Sequence, residues 1–132
     1  MLINQSELLI KDNSGILKAR VLDNKASKLG SLVKMVITKT KPKSKKGKTF
    51  KQTFDTHIHG LIIQTKAPYC RYDGSSVRFS SNSACVLNLK NRKFTLGFKR
   101  IVSSVPFELL RVNNNNKFKG SSNLMKLAKY LL

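Results

Sequence analysis

Residues 61–87 read LIIQTKAPYCRYDGSSVRFSSNSACVL, an apolar run, a basic turn and a second apolar run. Leu61, Ile62 and Ile63 are too continuous for a solvated surface and too short for a lone helix, so they predict a buried strand ahead of a loop at 66–72. Asp73 and Gly74 supply the turn. Asp hydrogen-bonds its own backbone and Gly accepts positive φ, so residues 77–79 are expected to pair back. The product is a β-arm whose tip carries Lys66, Arg71 and Arg78 around Tyr69 and Tyr72. A cation beside a flat ring holds a phosphate and an unstacked base together. The same rings also suit packing within the arm.

Upstream, Leu8-Leu9-Ile10 and the dense turn Asp12-Asn13-Ser14-Gly15 predict a hairpin start. In its second strand Leu17, Ala19 and Val21 alternate with Lys18 and Arg20, which predicts one face on a core and one towards anions. Residues 25–31 read as a loop and 32–40, rich in Val, Ile and Thr, as a third strand. Residues 41–51, KPKSKKGKTFK, hold six Lys whose mutual repulsion predicts a loop that orders only against phosphate. Alternation returns from Phe54, with Thr56 and Ile58 against His57 and His59, and Gly60 marks a candidate bulge.

Downstream, residues 85–89 read as a strand, 90–93 as a basic turn and 94–102 as a further strand pair or extended segment that closes the sheet. Pro106 and Glu108 open a short helix, PFELLR. Asn113 to Asn116 form a low-complexity insert. A last helix is expected over 124–132, with Leu124, Leu127 and Leu131 on one face and Ser121, Ser122 or Asn123 as its cap.

Charge bounds the function more tightly than any single motif. The 132 residues suit one domain, 1–132, and 40% apolar content suffices for a core. Yet 26 Lys and Arg oppose six Asp and Glu, a net +20. Solubility asks for only about 2–8 charges on a small domain, so a polyanion, and first of all a nucleic acid, is the expected partner. The cations run along nearly the whole chain, which predicts a wide contact surface. No run approaches the roughly 18 apolar residues of a membrane span, so no membrane insertion is expected. Residues 1–10 lack the basic or Arg-rich patterns of an import signal.

Catalytic and metal chemistry find few residues. His57 and His59 share a strand face, but no third ligand lies at suitable spacing. Cys70 and Cys85 form no framework and no CxxC, and nothing in their spacing requires a disulfide. Two of the four Asp residues, Asp12 and Asp73, sit in turns, and no GxSxG elbow appears. The chain is therefore expected not to be an enzyme and to use no metal or cofactor.

The same residues carry a resemblance. Thr65-Lys66, Arg71, Asp73-Gly74-Ser75 and Val77-Arg78-Phe79, followed by Asn82, Ala84 and Val86-Leu87, resemble the signature RTK, R-x-DGS, I-R-F, N-x-A-x-VL of the L-fourteen family of large-subunit ribosomal proteins. Asp12 to Gly15 resembles its x-DNSG signature. Arg100-Ile101, Val105 and Glu108-Leu109 resemble its ending, with Ser103-Ser104 where the family carries Gly-Pro, and Gly30 is followed by Ser31 rather than an acid.

This resemblance implies a mainly β fold: a small five-stranded β-barrel of SH3 or OB type at 1–105, with a projecting β-arm, and short C-terminal helices at 106–132. It implies a structural constituent of the large ribosomal subunit that binds rRNA. It also implies bridges to small-subunit rRNA, the neighbouring large-subunit protein L-nineteen, and a surface for a ribosome silencing factor. The candidate rRNA contacts are Lys18, Arg20, Lys41, Lys43, Lys45, Lys46, Lys48, Lys66, Arg71, Tyr72, Arg78, Lys90, Lys93, Lys99 and Arg100, and the bridge candidates are Lys43, Lys45, Lys46 and Lys48. Twenty Lys against six Arg, with 11 Asn and five Ala, matches an A/T-rich genome. That bias predicts an organelle-encoded, mitochondrial form, with plastid or bacterial cytoplasm as alternatives. The competing functional class is a free OB- or SH3-like module that binds single-stranded nucleic acid. A cationic protein of anionic membranes ranks last, since no Trp- or Phe-rich amphipathic helix is present.

Overall fold

The computed structural model describes residues 2–23, 28–41, 57–111 and 121–132. Strands β1 (Glu7–Ile10), β2 (Ile16–Val21), β3 (Leu32–Thr40) and β4 (His57–Gln64) run antiparallel in sequence order. A small hairpin, β5 (Tyr69–Cys70) and β6 (Ser76–Val77), interrupts them before β7 (Ser83–Lys90) returns along β4. Parallel pairing of β1 with β7, Leu9 opposite Ser83 and Ile10 opposite Ala84, closes a five-stranded barrel. Closure thus precedes residues 94–102. β8 (Lys93–Leu96) is an extra strand on β7, while β9 (Ile101–Val105) pairs elsewhere.

The continuous apolar runs are explained by burial on both faces. Ile62 points into the barrel with Ala84 and Val86, among Leu8, Ile16, Val21, Val33 and Met35. Leu61, Ile63, Cys85 and Leu87 point outward into a second core completed by Phe98, Ile101, Val105, Leu109 and Leu124. Burying each such aliphatic side chain stabilises the fold by roughly 1.5–3 kcal/mol. The closing pair for residues 61–63 is therefore β7, whereas the chain after the Asp73 turn pairs with Tyr69 and Cys70.

Three local expectations are corrected. Gly60 sits in regular register, opposite Val33 and Val86, and the irregularity falls between Ile62 and Gln64. Gly is needed at 60 for close approach: a Cβ there would meet the Met35 Cε and stand 2.9 Å from the Cys85 carbonyl oxygen. In β2 the register shifts between Ile16 and Ala19, so Ile16, Ala19 and Val21 face the core. Leu17 is turned outward, half-buried, beside Lys18. The strict alternation read at 17–21 fails because a bulge places two consecutive residues on one face.

The third correction is at the C-terminus. Residues 107–111 form a short 3-10 helix (Phe107–Arg111), as the PFELLR motif predicts, but the helix expected over 124–132 ends early. α1 (Ser121–Leu127) inserts Leu124 and Met125 into the second core. Then β10 (Ala128–Leu131) lies parallel to β9. The edge of β9 offers unpaired backbone groups, and pairing with them outcompetes further helical turns. Leu131 is consequently exposed rather than part of an apolar stripe. Residues 42–56 and the 113–116 insert lie outside the described residues.

Candidate nucleic-acid interface

The β5–β6 hairpin leaves the end of the barrel where β4 stops and β7 starts. Its root is tied by the Phe79 amide donating to the Thr65 carbonyl (3.2 Å) and the Lys66 amide donating to Asn82 Oδ1 (2.8 Å). At its tip the Asp73 carboxylate accepts from the Ser75 amide (2.9 Å) and hydroxyl (2.6 Å), and Gly74 takes φ 85°. The Ser75 hydroxyl and amide hold the Asp73 carboxyl below its ordinary value.

Beneath the tip the hairpin is clamped to the body by one carboxylate. Arg71 donates from Nε to Glu108 Oε1 and from Nη2 to Glu108 Oε2 (3.3 Å) and the Leu132 carbonyl (2.7 Å). The Tyr69 hydroxyl donates to the same Oε2 at 3.1 Å. Burial, then the Glu108 carboxylate, pushes the Tyr69 phenol up to about 12. The hydrogen bonds that Arg71 donates to Glu108 raise the guanidinium pKa further. Burial opposes ionisation of Glu108, yet the bonds from Arg71, its own backbone and Tyr69 outweigh it and lower that carboxyl. Of the predicted arm residues, Lys66, Tyr72 and Arg78 are exposed, whereas Arg71 is engaged internally. Tyr72 is fully open, so it is the ring free to stack, while Tyr69 packs.

A second set of cations surrounds the opposite barrel end, where β2 begins and β3 and β7 finish. Asp12 accepts from the Ser14 amide (2.9 Å) and hydroxyl through Oδ1 and from the Val86 amide (2.7 Å) through Oδ2. Asn13 Oδ1 accepts from the amides of Lys99 (3.0 Å) and Arg100 (3.3 Å), fixing that exposed basic pair. Lys41 is held here by its amide on the Gly15 carbonyl (2.8 Å). Lys90 and Lys93 flank a turn in which Asn91 and Arg92 both take positive φ. On the outer wall Lys18 pairs with Glu7 at 3.2 Å and Arg20 is exposed.

Sequence reading missed Lys39 and Arg92, both exposed among these cations, and Glu108 and Asn13 as the residues that position the others. The basic turn at 90–93 already contained the signal for Arg92. Nothing local marks Glu108, which acts 37 residues from Arg71. The predicted Lys43, Lys45, Lys46 and Lys48 lie outside the described residues.

Other chemistries gain no support here. Among the described residues no group of three His, Cys, Asp or Glu is placed to hold a metal. His59 stacks obliquely on Phe94 with centroids 5.2 Å apart, and burial followed by the Lys34 charge lowers its pKa. Cys70 is exposed and Cys85 buried, both unpaired, and burial pushes the Cys85 thiol up. No described helix is long and apolar enough to cross a membrane. A family model described as ribosomal protein L14p/L23e matches residues 1–124.

Proposed function

The chain belongs to the ribosomal protein L14p/L23e family, structural proteins of the large ribosomal subunit, and on that premise we propose that it binds rRNA and helps form the intersubunit face. The mechanism is electrostatic and geometric. A rigid barrel presents Lys and Arg at fixed spacing from several turns, matching one folded RNA surface and neutralising its phosphates. Shape carries the specificity, because A-form grooves hide most base edges.

The observation that supports this reading is the net charge of +20, too large for a protein that stays uncomplexed. Under it Lys66, Tyr72 and Arg78 contact RNA at one barrel end, and Lys41, Lys90, Lys93, Lys99 and Arg100 at the other. Lys18 and Arg20 serve the outer wall, and Arg71 orients the arm from within. Lys43, Lys45, Lys46 and Lys48 reach small-subunit rRNA. Protein L-nineteen is the neighbour, a silencing factor uses the same face, and the A/T-biased composition favours a mitochondrial ribosome.

Sedimentation of a native lysate tests the core of the reading. The protein should travel with large subunits at moderate salt and leave them only at high salt. A protein that stays at the top of the gradient, unaffected by ribonuclease, overturns it.

A further inference from the structure

The bulge in β2 has turned Leu17 out of the barrel, where it faces an open cleft of about 280 Å³. Leu9 and Ile10 from β1 line it with Leu17, and Lys11, Lys18 and Lys39 complete the lining. Leu9 and Leu17 are half-buried and belong to neither core cluster of the described residues. Leu9 lies directly opposite Lys18, and Lys18 opposite Lys39, across three adjacent strands. Glu7, the acid beside the rim, is engaged with Lys18.

We propose that this cleft receives one unstacked nucleotide of the bound RNA, its base against Leu9 and Leu17 and its phosphate among Lys11, Lys18 and Lys39. The inference rests on the RNA-binding reading above and adds a site to it. The volume lies just below the roughly 300–1,000 Å³ of ligand pockets, so it suits one base and not a larger cofactor. An apolar floor accepts the flat face of a base, and the lysines around it, Lys11 and Lys39 with Lys18 shared with Glu7, favour an anion over an apolar or basic protein side chain.

The test uses the full chain and an in vitro transcript of large-subunit RNA, with affinity measured across a salt series. Leu17→Ser should lower affinity about tenfold while leaving the salt slope unchanged, because it removes apolar contact and no charge. The triple variant Lys11→Ala, Lys18→Ala, Lys39→Ala should reduce the slope of log K against log salt by about two. Leu9→Ser, on the facing strand, is a second floor variant and should repeat the Leu17→Ser result. Wild-type binding with both serine variants unaffected overturns the nucleotide site alone and leaves the cleft to a protein neighbour. If the wild-type chain prefers this transcript no more than unrelated RNA, the RNA-binding reading itself fails and the site with it.

Discussion

Two turns in this protein share one local design and differ in what surrounds them. In Asp12-Asn13-Ser14 and in Asp73-Gly74-Ser75, an Asp Oδ1 accepts from the amide and the hydroxyl of the Ser two residues on. Both are followed or centred by a Gly with positive φ, Gly15 and Gly74. Asp12 is only 4% exposed, and its second oxygen reaches the Val86 amide on the barrel strand β7. Asp73 is exposed at a hairpin tip. Identical turn chemistry therefore holds the barrel together at one site and merely shapes a presented loop at the other, because water competes for the bonds only where it has access.

Breaking the buried turn should have the largest effect. Asp12→Ala strands the Val86 amide in the interior and removes the Ser14 contacts, a loss of about 3 kcal/mol. Thermal denaturation of the free protein should fall by about 10 °C. A shift near zero would mean that β7 does not depend on this carboxyl group, and the contrast between the turns would collapse.

The hairpin's own anchor comes next. Glu108→Gln weakens the clamp on Arg71 and Tyr69, so amide exchange across residues 69–77 should accelerate while the barrel strands remain protected. The loss of melting temperature should be smaller than for Asp12→Ala. Acid should mimic it: Glu108 and Asp73 both have folded pKa values below their ordinary ones. Their contribution is present above the unfolded values near 4 and is lost as pH falls through the lower folded values. Hairpin protection that survives such acidification would show that the clamp is not ionic.

At the alkaline end Tyr69 reports on the same clamp. Its raised pKa means that its contribution is intact below the unfolded value near 10 and disappears as pH rises through about 12. A near-ultraviolet titration should show a late-ionising phenol, and Tyr69→Phe should remove it. The smallest effect belongs to Asp73→Ala. It should leave the melting temperature almost unchanged, since solvent replaces the lost acceptor, and alter exchange only at the hairpin tip. A large loss of stability there would erase the distinction between the two turns.

Much of this architecture was legible in the residues. The DNSG and DGS turns, the apolar run at 61–63, the strand at 85–89 and the PFELLR helical turn each follow from local conformational preference and stand where expected. The candidate interface was legible as a set of cations, because charge is read directly from composition. The roles within that set were less so: Arg71 reads like any exposed arm cation until Glu108 is brought beside it. Leu17 and Lys18 show the same limit. Alternation assigned them to opposite faces, and a bulge, visible only against β3, put both outside.

The sequence by itself determined that the chain makes short strands and sharp turns, and that it carries a net charge of +20. Those properties reside in single residues or in their sum. Tertiary structure decided that β1 meets β7 to close the barrel, that residues 128–131 leave the helix to pair with β9, and that Glu108 clamps Arg71. Each of these depends on groups far apart in the chain, whose backbone and carboxyl partners exist only once the fold has assembled.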